Sequence, residues 1–292
     1  MNWPATGAVT GFCEEHSSDL RINGTRSCLL QVHLAAFSSR NAILLCHHGH
    51  TIDTDILNAA ETGPDMYSDA PIVDSVIRSR KAVRVFRPDA VSRQDIADIL
   101  DVARTAPSNS NTQPWHVHVL GGRVKRQLSD ALADAHTAEA HPPLQHMPEP
   151  LPDKHRLRQE EFGVRYYGAL GIDKADVAAR SVATARNFDF FGAPVGLIFT
   201  IDRCLKKYSW LDYGMFLQTI MIAARARGLD TCAQVSIARF QDVIATHLDL
   251  EPGYDVVCGM SLGYAQEESI VNRLAMPRAP VDQFARFAGF DE

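Results

Sequence analysis

The stretch SWLDYGMFLQTIMIAARARG, residues 209–228, carries the strongest helical pattern of the chain and decides how the rest is read. Leu217, Ile220 and Ala224 fall on one stripe at helical spacing, and Gly228 stands where such a helix would end. The segment is apolar on nearly all sides. We therefore expect the helix to be buried, either inside one chain or in an interface between subunits.

Two apolar segments flank this helix and predict core strands: APVGLIFTID at 193–202 and YDVVCGMSLGYA at 254–265. Ser92, followed three residues later by Asp95, is a capping box that predicts the start of another helix. The other expected elements are a strand at 115–120 and helices at 71–80, 122–135, 174–190 and 236–247. No repeat or linker interrupts this order after residue 66, so the sequence predicts one α+β domain.

Composition narrows the possible partners. The chain has 292 residues, 46% hydrophobic and 22% charged, with a formal net charge of -6. An acidic chain argues against a nucleic-acid partner. No apolar run approaches the roughly 20 residues that span a bilayer, which argues against a transmembrane helix. No basic segment precedes an apolar one at the start, which argues against a secretory signal. The six cysteines form no C-x-x-C pair, so we expect reduced thiols and a cytoplasmic protein.

Two segments differ from the rest. Residues 1–65 contain no lysine and show no sustained period, and the HHGH at 47–50 lacks the spacing of a metal site. We expect a poorly ordered N-terminal extension there, with the functional domain at 66–292. Residues 138–155 contain five prolines, which predicts an irregular surface excursion that could serve as a lid.

A basic cluster, RSRKAVRVF at 78–86, is the first candidate for chemistry. Arg80 and Arg84 would share a side if the preceding helix continued, and could then clamp a phosphate. A solvated basic face, or an interaction with the helix C-terminal dipole, explains the same residues. The residue types alone do not decide between a phosphate site and a solvated basic face.

The second candidate is the polar stretch APSNSNTQPWHVHVL, 106–120. Its serine, asparagine and glutamine side chains both donate and accept hydrogen bonds, which suits a planar heterocycle. The alternative is a loop that satisfies its own backbone. Trp115 is expected in the core. His116 and His118 face one side of a strand, as metal ligands or as partly buried histidines.

Common nucleotide and hydrolase motifs are absent from the sequence. There is no G-x-G-x-x-G after a strand, no G-x-x-x-x-G-K-[ST] and no G-x-S-x-G. A Rossmann dinucleotide site, a P-loop and a nucleophile elbow therefore lack support.

Taken together, the segments SRKAVRVF, ARTAPSNSNTQPWHVHVL, FFGAPVGLIF, LDYGMFLQTIMIAARARGLDTCAQ and the GY…R ending resemble, in that order, the nitroreductase family of FMN-dependent oxidoreductases. The resemblance covers about residues 66–287. It is nearest to the branch that reduces nitroaromatics such as 4-nitrobenzoate. It implies a mixed central sheet wrapped by helices, in an intertwined homodimer with one FMN at each interface.

The resemblance also assigns residues to FMN. The basic motif and Arg278 would hold the phosphate and ribityl chain, the polar loop would line the flavin from the partner subunit, and a third segment would meet the isoalloxazine ring. The set is Arg80, Lys81, Ala82, Arg84, Pro107, Ser108, Asn109, Asn111, Gln234, Val235, Ser236 and Arg278. Asn187 is a further candidate at the ring. Ala82 and Met276 depart from a serine and a lysine found in relatives, and the alanine removes one hydroxyl contact to the cofactor.

The implied reaction is a ping-pong exchange in which NADH or NADPH reduces the flavin and a nitroaromatic then takes its place and receives two electrons. The resemblance requires no catalytic side chain and no metal. Phe190 and Phe191 are candidates for the substrate slot, with plain packing as the alternative. The alternative functions are a flavin enzyme of the same fold with another substrate (an enone or semialdehyde reductase, a dehalogenase, a flavin-cleaving enzyme) or a protein that sequesters FMN without turnover.

Overall fold

The structure, a computed structural model, describes residues 69–138 and 150–290. The predictions for residues 1–65, and for most of the proline-rich segment, lie outside this part of the chain. The helices are α1 (Ala70–Ser79), α2 (Arg93–Ala103), α3 (Gly122–Thr137), α4 (Asp153–Ala169), α5 (Val177–Ala185), α6 (Lys207–Ala226) and α7 (Gln241–Leu248). The strands are β1 (His116–Gly121), β2 (Val195–Asp202), β3 (Asp230–Gln234) and β4 (Tyr254–Gly263).

The four strands form one sheet in the order β1-β2-β4-β3, and every neighbouring pair is antiparallel. The segment after α1 adds one parallel bridge, between Ala82 and Thr231 on β3, and one antiparallel bridge, between Phe86 and Ala265. Within the described residues, the sheet is thus mixed only through the bridge at Ala82.

Helices cover both faces of this sheet, which makes the domain α+β, as predicted. The central strand β2 alternates between two cores. Leu197 and Phe199 pack with α2 and α6, whereas Ile198 packs in a second core that contains α3 and α7. Because both faces of β2 are buried, its sequence is a continuous apolar run rather than an alternating one.

Helix α6 lies in the first core and confirms the prediction made from its stripe. Ile220 and Ala224 are fully buried, and the chain turns out of the helix at Gly228 with a φ of 74°. The hydroxyl of Tyr213 lies 3.0 Å from the carbonyl oxygens of both His116 and Thr200. This contact fixes the N-terminal half of α6 to two strands.

The capping box at α2 is confirmed as well. The Ser92 hydroxyl accepts a hydrogen bond from the backbone N–H of Asp95 at 3.0 Å and donates to the Asp95 carboxylate at 2.7 Å. Other predictions were wrong in extent. The helix expected at 174–190 ends at Ala185, and the first part of the helix expected at 236–247 is a 3-10 helix, Val235–Phe240. Strand β3 and helix α4 were not predicted.

No helix in the described part of the chain is long and apolar enough to cross a membrane.

Candidate functional site

The basic motif follows α1 directly and runs along the edge of strand β3. The helix ends at Ser79 and the chain becomes extended at Arg80, so the expected helical pairing of Arg80 with Arg84 does not occur. In an extended chain, residues an even number apart share a side, and both guanidinium groups act on the same thiol, that of Cys232. Both guanidinium groups thus influence Cys232, although the helical spacing expected for them is absent.

Arg84 is held from several directions. Its backbone N–H donates to Asn272 Oδ1 at 2.9 Å, and its carbonyl accepts from Arg186 at 3.1 Å. Its guanidinium group lies over the rings of Phe162 and Tyr166 on α4, 5.4 and 5.0 Å from their centres. Aromatic rings stabilise a cation without neutralising it, so this guanidinium keeps its charge for another anion.

The charge around this motif is unbalanced. Arg80, Arg84 and Arg186 pair with no carboxylate that the structure describes, and Lys81 meets Glu267 only at 3.8 Å. Guanidinium groups without a carboxylate partner are suited to bind an anion with several oxygens, such as a phosphate.

Gln234, Val235 and Ser236 stand where β3 ends. Gln234 is 2% exposed, and its amide nitrogen donates to the carbonyl of Asn187 at 2.7 Å while its oxygen accepts from Ser261 at 2.7 Å. The polar atoms of the Gln234 side chain are thus both hydrogen-bonded within the protein. They link strands β3 and β4 to the segment after α5. The exposed Val235 and half-buried Ser236 are the members of this segment that a ligand can reach.

Two groups beside Arg84 that could titrate, Cys232 and Tyr166, are neutral. Burial raises the pKa of the Cys232 thiol, although Arg84 and Arg80 oppose the shift. Burial also raises the pKa of the Tyr166 phenol, again against the effect of Arg84 and Arg186. Both groups therefore keep their protons at neutral pH, and neither is suited to act as a base.

The polar loop lies at the N-terminal end of α6. The backbone N–H of Asn109 donates to the carboxylate of Asp212 at 3.1 Å, and that of Gln113 donates to the Ser108 hydroxyl at 3.0 Å. The ring of Trp115 stacks on Phe216 at 4.5 Å, so Trp115 packs against the core as expected. The side chain of Asn111, by contrast, is exposed.

Within one chain, the loop and the basic motif contact opposite ends of α6. The loop meets Asp212, whereas Ser79, next to Arg80, accepts a hydrogen bond from Arg225 at 3.1 Å. These two points on the helix are about 20 Å apart at a rise of about 1.5 Å per residue. The predicted cofactor residues thus form two sets rather than one.

Arg278 lies in the exposed C-terminal segment. Its guanidinium group donates to the carbonyl oxygens of Met276 and Pro277, both at 3.1 Å. The structure describes no contact between Arg278 and the basic motif.

Two further expectations concern other side chains. Phe190 and Phe191 are buried in the second core, so packing is their role and they line no open slot. His116 packs edge-on against Tyr254, and burial, with His116 nearby, lowers the pKa of His118. Among the described residues, no three His, Cys, Asp or Glu side chains come together as a metal site would need.

The sequence profile of the nitroreductase family matches residues 77–264, which span the basic motif, the polar loop and all four strands. The chain belongs to the nitroreductase family. A 4-nitrobenzoate reductase from Pseudomonas putida is 57% identical over 218 residues, 75% of this chain and 96% of that protein. A nitrobenzene nitroreductase from Ectopseudomonas oleovorans is 41% identical over 75% of this chain and 97% of its own.

Among solved structures of this nitroreductase family, the FMN-dependent nitroreductase NfnB from Mycobacterium smegmatis, in complex with NADPH, superposes with a TM-score of 0.72. It is 32% identical, and the match covers 75% of this chain and 99% of that one. The nitroreductase-like fold predicted from the sequence is thereby confirmed.

Three residues outside the sequence motifs hold the candidate segments in place: Arg186, Asp212 and Asn272. Each one binds a backbone atom far away in the chain, and such a contact leaves no local motif. The single carboxylate of Asp212 in an otherwise apolar helix was the one usable signal, because a buried charge needs a partner.

Proposed function

We propose that this chain is an FMN-dependent oxidoreductase that passes electrons from NADH or NADPH to nitroaromatic compounds in ping-pong, two-electron steps. The observation that carries the proposal is the group of guanidinium ions without carboxylate partners, at Arg80, Arg84 and Arg186, in a nitroreductase-family chain. The relatives named for 4-nitrobenzoate and nitrobenzene reduction, and the FMN- and NADPH-dependent structural neighbour, support this choice of cofactor and substrate.

The residues present fit FMN. Its phosphate would bind Arg80, Lys81 and Arg84, joined by Arg278 if the C-terminal segment turns toward them, and Ala82 supplies no hydroxyl for this contact. Its ring would meet the reachable backbone and side chains of Val235 and Ser236. Bound FMN supplies the hydride chemistry, and the protein supplies binding and orientation. The neutral Cys232 and Tyr166 agree with a site that uses no acid–base pair.

The site belongs, in this proposal, to a homodimer. The polar loop and the basic motif sit at opposite ends of α6, so one flavin that contacts both needs the loop of a second copy. Exposed apolar side chains offer surface for that copy. They lie on α1 and in the C-terminal segment, and they are Ile72, Val73, Ile77, Phe284, Phe287 and Phe290.

A single titration tests the activity. The visible spectrum of the purified protein, supplemented with FMN, is recorded before and after anaerobic NADPH and then after 4-nitrobenzoate. We expect a flavin band that bleaches with NADPH and returns with the nitro compound. A band that never bleaches with either nicotinamide would indicate an FMN-sequestering protein. A band that bleaches but is not restored by any nitroaromatic would indicate another substrate, and an enone or a halogenated aromatic would be tried next.

Mixed dimers test the shared site. A chain carrying Arg80→Ala and a chain carrying Asn109→Ala with Asn111→Ala are produced together with different affinity tags and purified through both. If the loop serves the partner's flavin, each mixed dimer keeps one intact site and about half of the wild-type FMN content. If loop and motif serve the same chain, no intact site remains and the FMN content stays at the level of the parent variants.

The proposal includes the domain boundary and the cellular location. The FMN-binding domain would comprise residues 66–292, which contain the whole family match at 77–264. A cytoplasmic location suits an enzyme that draws on NADH or NADPH.

A further inference from the structure

Asp212 is a buried carboxylate, 5% exposed, on a helix whose other buried residues are mainly apolar. It forms no ion pair with any cation in the described ranges. The contact that the structure gives it is the backbone N–H of Asn109, 3.1 Å from its Oδ2. Burying a carboxylate costs free energy unless it is hydrogen-bonded, so a carboxylate at this position indicates a structural or functional role.

The loop that Asp212 contacts has an unfavourable backbone. Ser110, Asn111 and Gln113 have φ angles of 51°, 56° and 47°, in the left-handed region that side chains other than glycine rarely adopt. Such a conformation persists only where surrounding contacts enforce it. Hydrogen bonds inside the loop contribute, from the Asn111 N–H to the Ser108 carbonyl at 3.0 Å and from the Gln113 N–H to the Ser108 hydroxyl at 3.0 Å. Asp212 is the contact that ties the start of the strained residues to a helix outside the loop.

The anchor itself is rigid. The next residue, Tyr213, is 1% exposed and contacts the carbonyl oxygens of β1 and β2, which locks this turn of α6 to the sheet. Four residues from Asp212, Phe216 stacks on Trp115 at the far end of the loop. The loop is thus fixed to one face of α6 at both ends.

We infer that Asp212 is a positioning residue for the cofactor: it holds Asn109 and the left-handed turn that presents Asn111 to the flavin ring. This inference rests on the proposed function. The negative charge strengthens the hydrogen bond from the Asn109 N–H, since bonds to an ionised acceptor are the stronger ones. Asp212 itself touches no cofactor and acts through the loop.

The test compares two flavins. Dissociation constants for FMN and for riboflavin, which lacks the phosphate, are measured by flavin fluorescence for the wild type, Asp212→Ala and Asp212→Asn. Because the loop faces the ring, Asp212→Ala should weaken both flavins by the same factor, about tenfold for one charge-assisted hydrogen bond. Asp212→Asn keeps an oxygen acceptor for the Asn109 N–H and should recover most of the affinity.

Two controls separate positioning from general damage. Asp202→Ala removes a carboxylate that accepts a backbone N–H of Cys204 at 2.9 Å in an unrelated turn, and it should leave both affinities unchanged. Arg80→Ala should weaken FMN far more than riboflavin, because it removes a phosphate contact. If Asp212→Ala does not fold by circular dichroism, Asp212→Leu removes the acceptor while filling the apolar site, and it too should weaken both flavins equally.

The outcomes are distinct. Wild-type affinity for both flavins in a folded Asp212→Ala protein overturns the inference and leaves the proposed function intact. An effect of that variant on FMN alone also overturns it, because the loop would then serve the phosphate. A wild-type protein that binds neither flavin overturns the proposed function, and the inference with it.

Discussion

Replacement of Asn272 by alanine should destabilise the domain and release the basic motif. Asn272 is 1% exposed, and its side chain makes three hydrogen bonds to backbone atoms. It accepts from the N–H of Arg84 at 2.9 Å and donates to the carbonyl oxygens of Val85 and Gln266 at 2.7 and 3.0 Å. Alanine would remove all three.

The expected loss follows from what each partner retains. The Val85 carbonyl keeps a bond from the N–H of Gln266, and the Gln266 carbonyl keeps one from Ser269. These two losses therefore cost about 0.5–1.5 kcal/mol each, whereas the N–H of Arg84 loses its acceptor at about 1–3 kcal/mol. We expect the free energy of unfolding to fall by about 2–6 kcal/mol for Asn272→Ala.

Urea denaturation of the cofactor-free protein, at one fixed subunit concentration, measures this loss. Gln94→Ala is the control, since its exposed bond to Asp98 should contribute within about 0.5 kcal/mol. Asn272→Asp keeps the acceptor but points a carboxylate at two carbonyl oxygens, so it should be at least as unstable at pH 7 and recover as the pH falls. A loss below about 1 kcal/mol for Asn272→Ala would refute the reasoning, because an orphaned buried N–H alone should exceed it.

Three further predictions concern other parts of the chain. Arg278→Ala should weaken FMN binding about 10- to 100-fold, by loss of a charge-assisted phosphate contact, and leave riboflavin binding unchanged; equal FMN affinity in a fluorescence titration would rule out that contact. Gly196→Ala should destabilise by about 1–3 kcal/mol, because the new Cβ would lie 2.8 Å from the buried ring of Phe190. The control is Gly163→Ala on α4, where the added Cβ has no atom within 4 Å. Its stability in the same thermal melt should equal or exceed that of the wild type. Burial lowers the pKa of His118 below its usual 6.5, so the folded state binds fewer protons at this residue than the unfolded state. The free energy of unfolding should therefore fall as the pH drops below about 6.5. The melting temperature of His118→Gln should change less than that of the wild type between pH 7.5 and 5.5.

The elements that could be predicted from the sequence are those whose buried residues follow a local pattern of apolar side chains. Helix α6 has a helical stripe and a glycine stop, and β2 and β4 are continuous apolar runs bounded by turn residues. Strand β3 was missed because its five residues, DTCAQ, carry no such pattern and are held by pairing with β4. Helix α4 was missed because Tyr166 is its single buried residue and its helical signal lies in ion pairs such as Arg156–Glu160.

The residues of the candidate site also fall into those with a local sequence pattern and those without one. Arg80, Arg84 and the polar loop could be predicted as candidates because they sit in short motifs. Asp212 and Asn272 were not, because each binds a backbone atom 103 or 188 residues away, and a hydrogen bond to backbone selects no particular residue type at the other end. Contacts of this kind depend on the finished fold and become visible only with it.

The placement of the two residue sets at opposite ends of a single rigid helix has a thermodynamic consequence. If the loop of one chain and the motif of its partner share one flavin, cofactor binding and subunit association in the proposed dimer would be linked equilibria. FMN would hold the dimer together, and dilution that separates the subunits would release FMN. The flavin content per subunit would then depend on protein concentration, which makes it a measure of assembly as well as of binding.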